Sequence, residues 1–268
     1  KCLTTPSKAH RPKRKRADIN KHNMKVVAMI PARYDSSRFP GKLLQNLCGK
    51  PILLRTYEAV YNMNLFDEIH IVTDSNKIEN NLKSHQISIL KSKEKHDCGS
   101  DRLAEVADQI DADIIINVQG DEPFTNREDL LKLIDLFEKD TKKSIDLASL
   151  MMPMNDIKAI ENSNNVKVIV DRRDQALYFS RSRIPHLRKT VDQLQYYKHI
   201  GIYAFRKQAL IDFYNAPKGI LEQAEAIECI RHLENGKTIQ MVKTDTPSIG
   251  IDTPEDLQDA EKLWQKKK

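Results

Sequence analysis

Near the middle of the chain the sequence reads Ile114-Ile115-Ile116-Asn117-Val118-Gln119-Gly120-Asp121-Glu122-Pro123. A short, unbroken run of β-branched residues is typical of a strand that is buried on both faces of a parallel sheet. Two carboxylates follow that run, directly after a glycine. Because ligands of open α/β sheets bind beyond the carboxyl ends of the strands, this stretch predicts both a buried strand and a polar site at its end.

The segments on either side alternate between short β-branched runs and longer helical patterns, which indicates an α/β fold. Toward the N-terminus the sequence predicts strands at 25–30, 68–73 and 87–90 and helices at 52–62, 77–85 and 101–110. Toward the C-terminus it predicts a helix from the cap residue Asn126 to Phe137, strands at 147–152, 166–170, 176–179, 199–205 and 238–243, a helix over 221–233 and a last helix from Pro254. We therefore expect a mainly parallel central sheet flanked by helices, with a mixed second portion that completes a cleft. Its ligand-binding edge is predicted at the loops after Ile30, Thr73 and Val118.

The composition fits an ordinary globular chain of 268 residues, of which 40% are hydrophobic and 31% charged. Its apolar runs fall far short of the about 20 residues that a membrane-spanning helix needs, and no secretory signal is visible. The four cysteines show no Cys-x-x-Cys spacing, so neither a zinc site nor a disulfide framework is predicted. This pattern suits a protein of the reducing cytoplasm.

The net charge of +6 is concentrated in residues 1–23, which hold eight Lys or Arg residues and one acid. The other 36 basic and 37 acidic residues nearly cancel. We expect residues 1–23 to be a basic, disordered tail and residues 24–268 to form a single domain. A nucleic-acid-binding protein that uses the tail is an alternative, but the balanced remainder has no basic stripe, so neither nucleic acid nor membrane is an expected partner.

The loop after the first strand carries a dense set of groups that bind phosphate. It reads Pro31-Ala32-Arg33-Tyr34-Asp35-Ser36-Ser37-Arg38-Phe39-Pro40-Gly41-Lys42 and offers three cations, two serine hydroxyls and several backbone amides. A polyphosphate needs this combination of amides and cations. The spacing is not that of a Walker A loop, and a solvated, arginine-rich surface loop is the alternative interpretation.

Two acidic segments far apart in the chain predict a magnesium site. Asp121 follows the buried strand, and Asp252 lies in Gly250-Ile251-Asp252-Thr253-Pro254-Glu255-Asp256. Mg²⁺ prefers one or two carboxylates together with water and phosphate oxygens. Each segment also has a structural interpretation: an acidic turn before Pro123, and a helix start in which Thr253 is the N-cap.

Other polar residues lie beside apolar runs at 99–102, 178–181 and 198–203, and Glu222 and Gln223 open the helix predicted at 221. Asp101 is also explained as a helix-start acid, Arg181 as a solvated cation and His199 as a hydrogen-bonded strand histidine. Periodicity alone does not decide between these interpretations.

Taken together, the segments resemble the 3-deoxy-manno-octulosonate cytidylyltransferase family (CMP-Kdo synthetases) over nearly all of residues 24–264. The resemblance is specific because several independent motifs occur in the same order. They are Ile30-Pro31-Ala32-Arg33, Arg38, Pro40-Gly41-Lys42, Asn117-Val118-Gln119-Gly120-Asp121-Glu122-Pro123, Ala176-Leu177-Tyr178-Phe179-Ser180-Arg181, His199-Ile200-Gly201-Ile202-Tyr203, Leu221-Glu222-Gln223 and residues 250–256.

The resemblance implies a Rossmann-like nucleotidyltransferase fold, usually in a homodimer. It implies that the anomeric hydroxyl of the sugar acid Kdo attacks the α-phosphate of CTP with Mg²⁺ as cofactor, giving CMP-Kdo and pyrophosphate for lipopolysaccharide biosynthesis. The implied catalytic residues are Arg33, Lys42, Asp121 and Asp252. The implied nucleotide contacts are Ala32, Arg33, Lys42, Ser100, Arg102 and Asp121. The implied sugar contacts are Gln119, Arg181, His199, Tyr203, Glu222 and Gln223, and the implied metal ligands are Asp121 and Asp252.

Arg181 is the expected partner of the substrate carboxylate, because a guanidinium meets that group with two parallel hydrogen bonds. Ser100-Asp101 departs from the Thr-Glu that the family more often has, and the basic tail is not part of the family pattern. Transfer to an 8-amino analogue of Kdo, or to another sugar acid, is the alternative activity.

Overall fold

The computed structural model describes residues 23–36, 39–189, 191–192, 194–247 and 249–266. Its strands are β1 Val26–Pro31, β2 Asn46–Leu47, β3 Lys50–Pro51, β4 Glu68–Thr73, β5 Ser88–Lys91, β6 Ile114–Asn117, β7 Leu147–Met154, β8 Lys167–Val170, β9 Ala176–Ser180, β10 Tyr196–Arg206 and β11 Ile239–Lys243. Its helices are α1 Ile52–Asn62, α2 Asn76–Leu82, α3 Gly99–Ala107, α4 Arg127–Lys139, α5 Ile157–Glu161, α6 Lys207–Asn215, α7 Ile220–Glu225, α8 Ile230–Glu234 and α9 Pro254–Lys266. The predicted tail lies outside the described residues, apart from Asn23, so both the tail and the single domain remain predictions.

One large sheet organises these elements, in the order β11-β7-β10-β6-β1-β4-β5, with β8 joined to β10 and β9 joined to β8. The pairs among β6, β1, β4 and β5 are parallel, as is β11 with β7. β10 pairs antiparallel with both β6 and β7. The predicted mainly parallel sheet with a mixed second portion is therefore confirmed.

The antiparallel strand β10 determines what faces the edge of the sheet. Asn117, the last residue of β6, is in register with Met29 of β1 on one side and with Tyr203 of β10 on the other. Because β10 runs against its neighbours, its N-terminal half lies at the edge where β1 and β6 end. The loops after two parallel strands thus face residues from the first half of β10.

Helices cover both faces of the sheet. Val26, Ala28 and Ile30 of β1 pack with residues of α1 and α4, whereas Val27 and Met29 pack with residues of α3 and α6. A strand buried on both faces has no polar side to show, which explains the unbroken apolar runs in the sequence. Among the described residues, no helix combines the length and apolar character that crossing a membrane requires.

Most predicted elements are confirmed within one to three residues of their bounds. The helix at 52–62 and the strand at 68–73 are found with the bounds predicted. Asn126 caps α4, since its side chain accepts a hydrogen bond from the amide of Glu128 at 2.7 Å. At the start of α9 the amide of Asp256 donates to Thr253 Oγ1 at 3.2 Å, and the amide of Thr253 donates to Asp256 Oδ2 at 2.9 Å. This reciprocal cap confirms Thr253 as the start of the helix.

The single helix predicted over 221–233 is wrong. The structure has two short helices, α7 and α8, because Ala226 between them is left-handed, with φ of 51°. Arg181 donates to the carbonyls of Glu225 and Ala226, which a continuous helix would use for its own hydrogen bonds. The sequence analysis also missed α5, α6 and the β2–β3 hairpin.

Candidate active site

A cavity of about 450 Å³ opens at the edge where β1, β6 and β10 meet. Its walls come from the loops after β1 and β6, the start of α3, the first half of β10 and the turn between α7 and α8. Ten of the predicted site residues line it: Ala32, Arg33, Lys42, Arg102, Gln119, Asp121, Arg181, His199, Tyr203 and Asp252. Ser100, Glu222 and Gln223 do not, and Ser37 and Arg38 lie outside the described residues.

Lys42 holds the two predicted metal ligands together. Its ammonium donates to Asp252 Oδ1 at 2.8 Å and also to Asp121 Oδ2. Gly41 precedes it in the left-handed region, with φ of 65°, a conformation that glycine adopts without steric cost. Burial by itself would lower the pKa of Lys42, but the two carboxylates outweigh burial and hold that pKa above its ordinary value.

The donor set at this point fits Mg²⁺. Asp121 and Asp252 supply hard oxygen atoms, and the Asp252 side chain is 49% exposed, which leaves it accessible to a ligand. No group of three or more His, Cys, Asp or Glu side chains in the described part of the chain forms a metal site. Two carboxylates suffice for Mg²⁺ when water and phosphate oxygens complete its shell.

Arg102 connects the cavity to the loop after Thr73, which was also predicted to bind a ligand. Its guanidinium donates to Ser92 Oγ at 2.7 Å and forms an ion pair with Asp74, directly after β4, at 2.9 Å. Arg102 is only 4% exposed, so the ion pair fixes its orientation toward the cavity. Arg33, in contrast, is exposed.

His199 and Tyr203 form an aromatic wall on β10. The His199 ring packs edge-on against Phe179 at 4.8 Å between centroids and lies 5.5 Å from the Tyr203 ring. Burial lowers the pKa of His199 to about 3 and raises the pKa of Tyr203 well above its ordinary value. Both side chains are therefore neutral near pH 7.

The contacts of Ser149 assign the tautomer of His199. Ser149 Oγ lies 2.8 Å from the carbonyl oxygen of Ile202, 3.1 Å from that of Ile200 and 3.0 Å from His199 Nε2. The one hydroxyl proton is donated to a carbonyl, because carbonyl oxygens only accept. Nε2–H of His199 then donates to Ser149, which leaves Nδ1 as a hydrogen-bond acceptor.

The contacts of Arg181 leave only two N–H groups for its predicted role as a two-bond clamp on a carboxylate, which stays a prediction. Its guanidinium donates to the carbonyls of Glu225 at 2.7 Å, Ala226 at 3.2 Å and Ser163 at 3.2 Å. Three of its five N–H groups are thus occupied by the backbone. Arg181 lines the cavity mainly as the residue that fixes the turn between α7 and α8.

Three predicted contacts are engaged elsewhere, and their placement departs from the prediction. Glu222 accepts two hydrogen bonds from buried Arg231, at 2.8 and 2.6 Å, and Gln223 Nε2 donates to the carbonyl of Lys218 at 3.4 Å. Ser100 Oγ donates to Glu228 Oε1 at 3.0 Å and accepts from Asn117 at 3.2 Å. For Glu222 and Gln223 the left-handed turn at Ala226 explains the shift, because it brings residues 226–228 to the cavity in their place.

Glu228 is a cavity residue that the sequence analysis missed. Burial raises the pKa of its carboxyl, and Ser100 donates to it from both the amide and the hydroxyl. Lys198, next to His199 on β10, also lines the cavity and was not predicted as a site residue. The sequence shows no local signal for Glu228, whereas Lys198 lies in the polar segment 198–203 from which only His199 and Tyr203 were selected as site residues.

Comparisons with known proteins identify the family of this chain. A family model described as cytidylyltransferase matches residues 27–239. A 3-deoxy-manno-octulosonate cytidylyltransferase of Christiangramia forsetii is 56% identical over 239 residues, which cover 89% of this chain and 96% of that protein. One from Flavobacterium johnsoniae is 52% identical over 88% of this chain and 97% of its own length.

Two solved structures match most of this chain. CMP:2-keto-3-deoxy-manno-octonic acid synthetase complexed with CTP matches with a TM-score of 0.85 and 35% identity, over 91% of this chain and 100% of that chain. The 4-diphosphocytidyl-2C-methyl-D-erythritol synthase of Anaerococcus prevotii, at 18% identity, shares the fold with a TM-score of 0.60, over 90% of this chain and 99% of that one.

Proposed function

We propose, because this chain belongs to the 3-deoxy-manno-octulosonate cytidylyltransferase family, that it transfers CMP from CTP to the anomeric hydroxyl of Kdo and releases pyrophosphate. The observation that carries the proposal is the convergence of Asp121 and Asp252 on Lys42 at the edge of the cavity. These residues lie in three separate segments, and the fold brings them to one point.

The phosphate end of the cavity is built from Arg33, Lys42 and Arg102. Nucleotidyl transfer depends on positioning and on neutralising charge, with little covalent help from the protein. Lys42 and Arg33 would neutralise the triphosphate as negative charge moves to the departing pyrophosphate. Arg102, held by Asp74, would contact the nucleotide from α3.

Asp121 and Asp252 would hold Mg²⁺ at this end of the cavity. When bound, the ion would supply charge that stabilises the phosphate oxygens during the transfer. Lys42 already lies between the two carboxylates, so it would remain next to the phosphates that the ion binds.

The sugar end is built from His199, Tyr203, Gln119 and Glu228. With a pKa of about 3, His199 is too weak a base to keep a proton, so it would orient a sugar hydroxyl by accepting its hydrogen bond at Nδ1. Glu228 and the neutral phenol of Tyr203 would bind other sugar hydroxyls.

The biological setting is part of the proposal. We infer a cytoplasmic enzyme of lipopolysaccharide biosynthesis that acts as a homodimer. Family membership supports the activity, and exposed apolar side chains such as Ile220, 82% exposed, and Leu177, 60% exposed, would suit a subunit contact. Light scattering of the purified chain would measure the oligomeric state.

The test of the activity is pyrophosphate release with CTP, Mg²⁺ and Kdo. We expect turnover that requires all three, with little from ATP, GTP or UTP. Competition between Kdo and its 8-amino analogue would show which sugar acid is preferred. A folded protein that releases no pyrophosphate from CTP and any of these sugar acids would refute the proposal.

A further inference from the structure

Lys198 is a half-buried cation in the wall of the active-site cavity. It lies on β10 directly opposite Lys167 of β8. Lys167 is fully buried, and its ammonium donates to the carbonyls of Asn162 at 3.1 Å and Asn165 at 2.7 Å, as well as to that of Arg181. The charge of Lys167 is therefore satisfied inside the protein.

Lys198 has no comparable partners. In the described part of the chain no ion pair or hydrogen bond reaches its ammonium; the acid that acts on it electrostatically is Glu122, without an ion pair. Burial lowers the pKa of Lys198, which means that the surroundings disfavour its charge. An anion supplied by a ligand would offset that cost.

Three other cations that line the cavity already have partners within the protein. Lys42 is paired with two carboxylates, Arg102 with Asp74, and Arg181 donates to three carbonyls. Lys198 is thus the better candidate for an anionic group of the sugar.

The position of Lys198 also fits one group of the proposed substrate. In Kdo the carboxylate and the attacking hydroxyl are bonded to the same carbon atom. A sugar whose hydroxyl reaches the phosphate must therefore hold its carboxylate close to the phosphate end. Lys198 interacts with Glu122, the residue after Asp121, and is adjacent in sequence to His199 of the sugar end.

We propose that the Lys198 ammonium binds the carboxylate of the sugar acid, and so selects acidic over uncharged sugars. This inference rests on the proposed function. It assigns to Lys198 the role that sequence analysis gave to Arg181, whose remaining N–H groups would at most assist.

The experiment compares Lys198→Met and Lys198→Arg with the unaltered chain, by steady-state pyrophosphate release. Lys198→Met should raise KM for Kdo by about 10- to 100-fold, the range for loss of a charge-assisted hydrogen bond. KM for CTP should stay within about twofold, the scatter expected when no CTP contact is lost. Lys198→Arg should recover part of the affinity for Kdo because it keeps the charge. Lys262→Met, which removes a 70% exposed lysine of α9, is the matched control.

A second measurement uses the carboxamide of Kdo, which lacks the negative charge. The unaltered chain should prefer the acid strongly, and Lys198→Met should lose most of that preference. A merely structural role would weaken both sugars equally, and that result would overturn the inference. A rise in KM for CTP with KM for Kdo unchanged would also overturn it, because the lysine would then bind phosphate.

The two proposals fail in different ways. Absence of turnover in the unaltered chain would contradict the proposed function. Normal turnover with an unchanged KM for Kdo in Lys198→Met would contradict the inference alone. If Lys198→Met does not fold, Lys198→Gln replaces it in the same measurements.

Discussion

The backbone amide of Ile251 donates a hydrogen bond to the carbonyl oxygen of Asp121 at 3.1 Å. This bond joins the loop after β6 to the segment before α9, which are 130 residues apart in the sequence. Each segment carries one of the two carboxylates that meet at Lys42. The position of the proposed magnesium site is thus fixed by the backbone as well as by the side chains.

Asp121→Asn tests that site directly. The substitution keeps the shape of the side chain and removes its charge, so pyrophosphate release should fall by at least about 100- to 1000-fold, as for loss of one strong electrostatic contact. The unfolding midpoint should change little, because Lys42 keeps Asp252 as a partner. Asp259→Asn, on the exposed face of α9, is the control. Near-normal turnover of Asp121→Asn would exclude a metal-binding role for Asp121.

Gly120→Ala tests the close packing beneath Asp121. A Cβ at Gly120 would lie 3.0 Å from the carbonyl oxygen of Pro31 and 3.3 Å from a methyl group of both Leu43 and Leu53. We expect a loss of about 1–3 kcal/mol in the free energy of unfolding, the usual cost of overpacking.

Urea denaturation measures this loss, with Gly201→Ala as the comparison, because nothing lies within 4 Å of a Cβ at that position. Equal stability of the two variants would show that the backbone around Gly120 yields more easily than its contacts suggest.

The third prediction concerns Arg231, which lies buried between two acids. It donates to Asp101 at 2.6 and 3.2 Å and to Glu222 at 2.8 and 2.6 Å. Burial opposes its charge, but Glu222 and Asp101 hold the pKa of Arg231 above its ordinary value. Arg231→Met would leave buried Glu222 without its cation and buried Asp101 with only Lys218, at 4.0 Å, and should cost about 3–5 kcal/mol in the free energy of unfolding.

Neutralising the acids should reverse much of that loss. We expect the triple variant Asp101→Asn, Glu222→Gln, Arg231→Met to unfold at a higher urea concentration than Arg231→Met alone. Arg173→Gln, which removes a 78% exposed arginine, controls for loss of a surface charge. A triple variant no more stable than the single one would show that packing, not charge, makes Arg231 important.

The fourth prediction concerns acid stability. The pKa of His199 is about 3 in the folded protein and near 6.5 in an unfolded chain. Below pH 6.5 the unfolded state therefore binds a proton that the folded state does not, and stability is lost as the pH falls from 6.5 toward 3. For this one group the slope reaches about 1.4 kcal/mol per pH unit.

His199→Gln should flatten the dependence of the unfolding free energy on pH in that window. His85→Gln, at an exposed position, should leave it unchanged. Parallel curves for His199→Gln and the unaltered chain would mean that His199 titrates in the folded state as it does in the unfolded one.

Much of the fold could be predicted from the sequence, because the buried strands are short apolar runs and the helix starts carry their own caps. Asn126 and Thr253 act through neighbours within three residues, so local pattern suffices. The break in the helix predicted over 221–233 has no such local signal. Its apolar spacing fits one helix, and the interruption at Ala226 comes from Arg181, 45 residues away.

The residues of the site divide in the same way, into those that a local pattern predicts and those that tertiary contacts bring to the cavity. The loops after β1 and β6 were predicted because the ends of parallel strands share an edge. Glu228 and Lys198 line the cavity only as a result of tertiary contacts: the broken helix for Glu228, and the antiparallel direction of β10 for Lys198. Glu222, which the motif predicts as a sugar contact, lies on α7 beside the turn that lines the cavity, and its role stays a prediction.

The buried contact of Arg231 has a consequence for redesign. Asp101 belongs to α3, whose first residue Gly99 lines the cavity, and Glu222 belongs to α7, which leads to the neighbouring cavity residue Glu228. Arg231 therefore connects α3 and α7, and through them two segments of the cavity wall. Widening the cavity for a bulkier sugar would therefore require residues 101, 222 and 231 to be replaced together. For the same reason, we expect a natural substitution at one of these positions to be accompanied by substitutions at the other two.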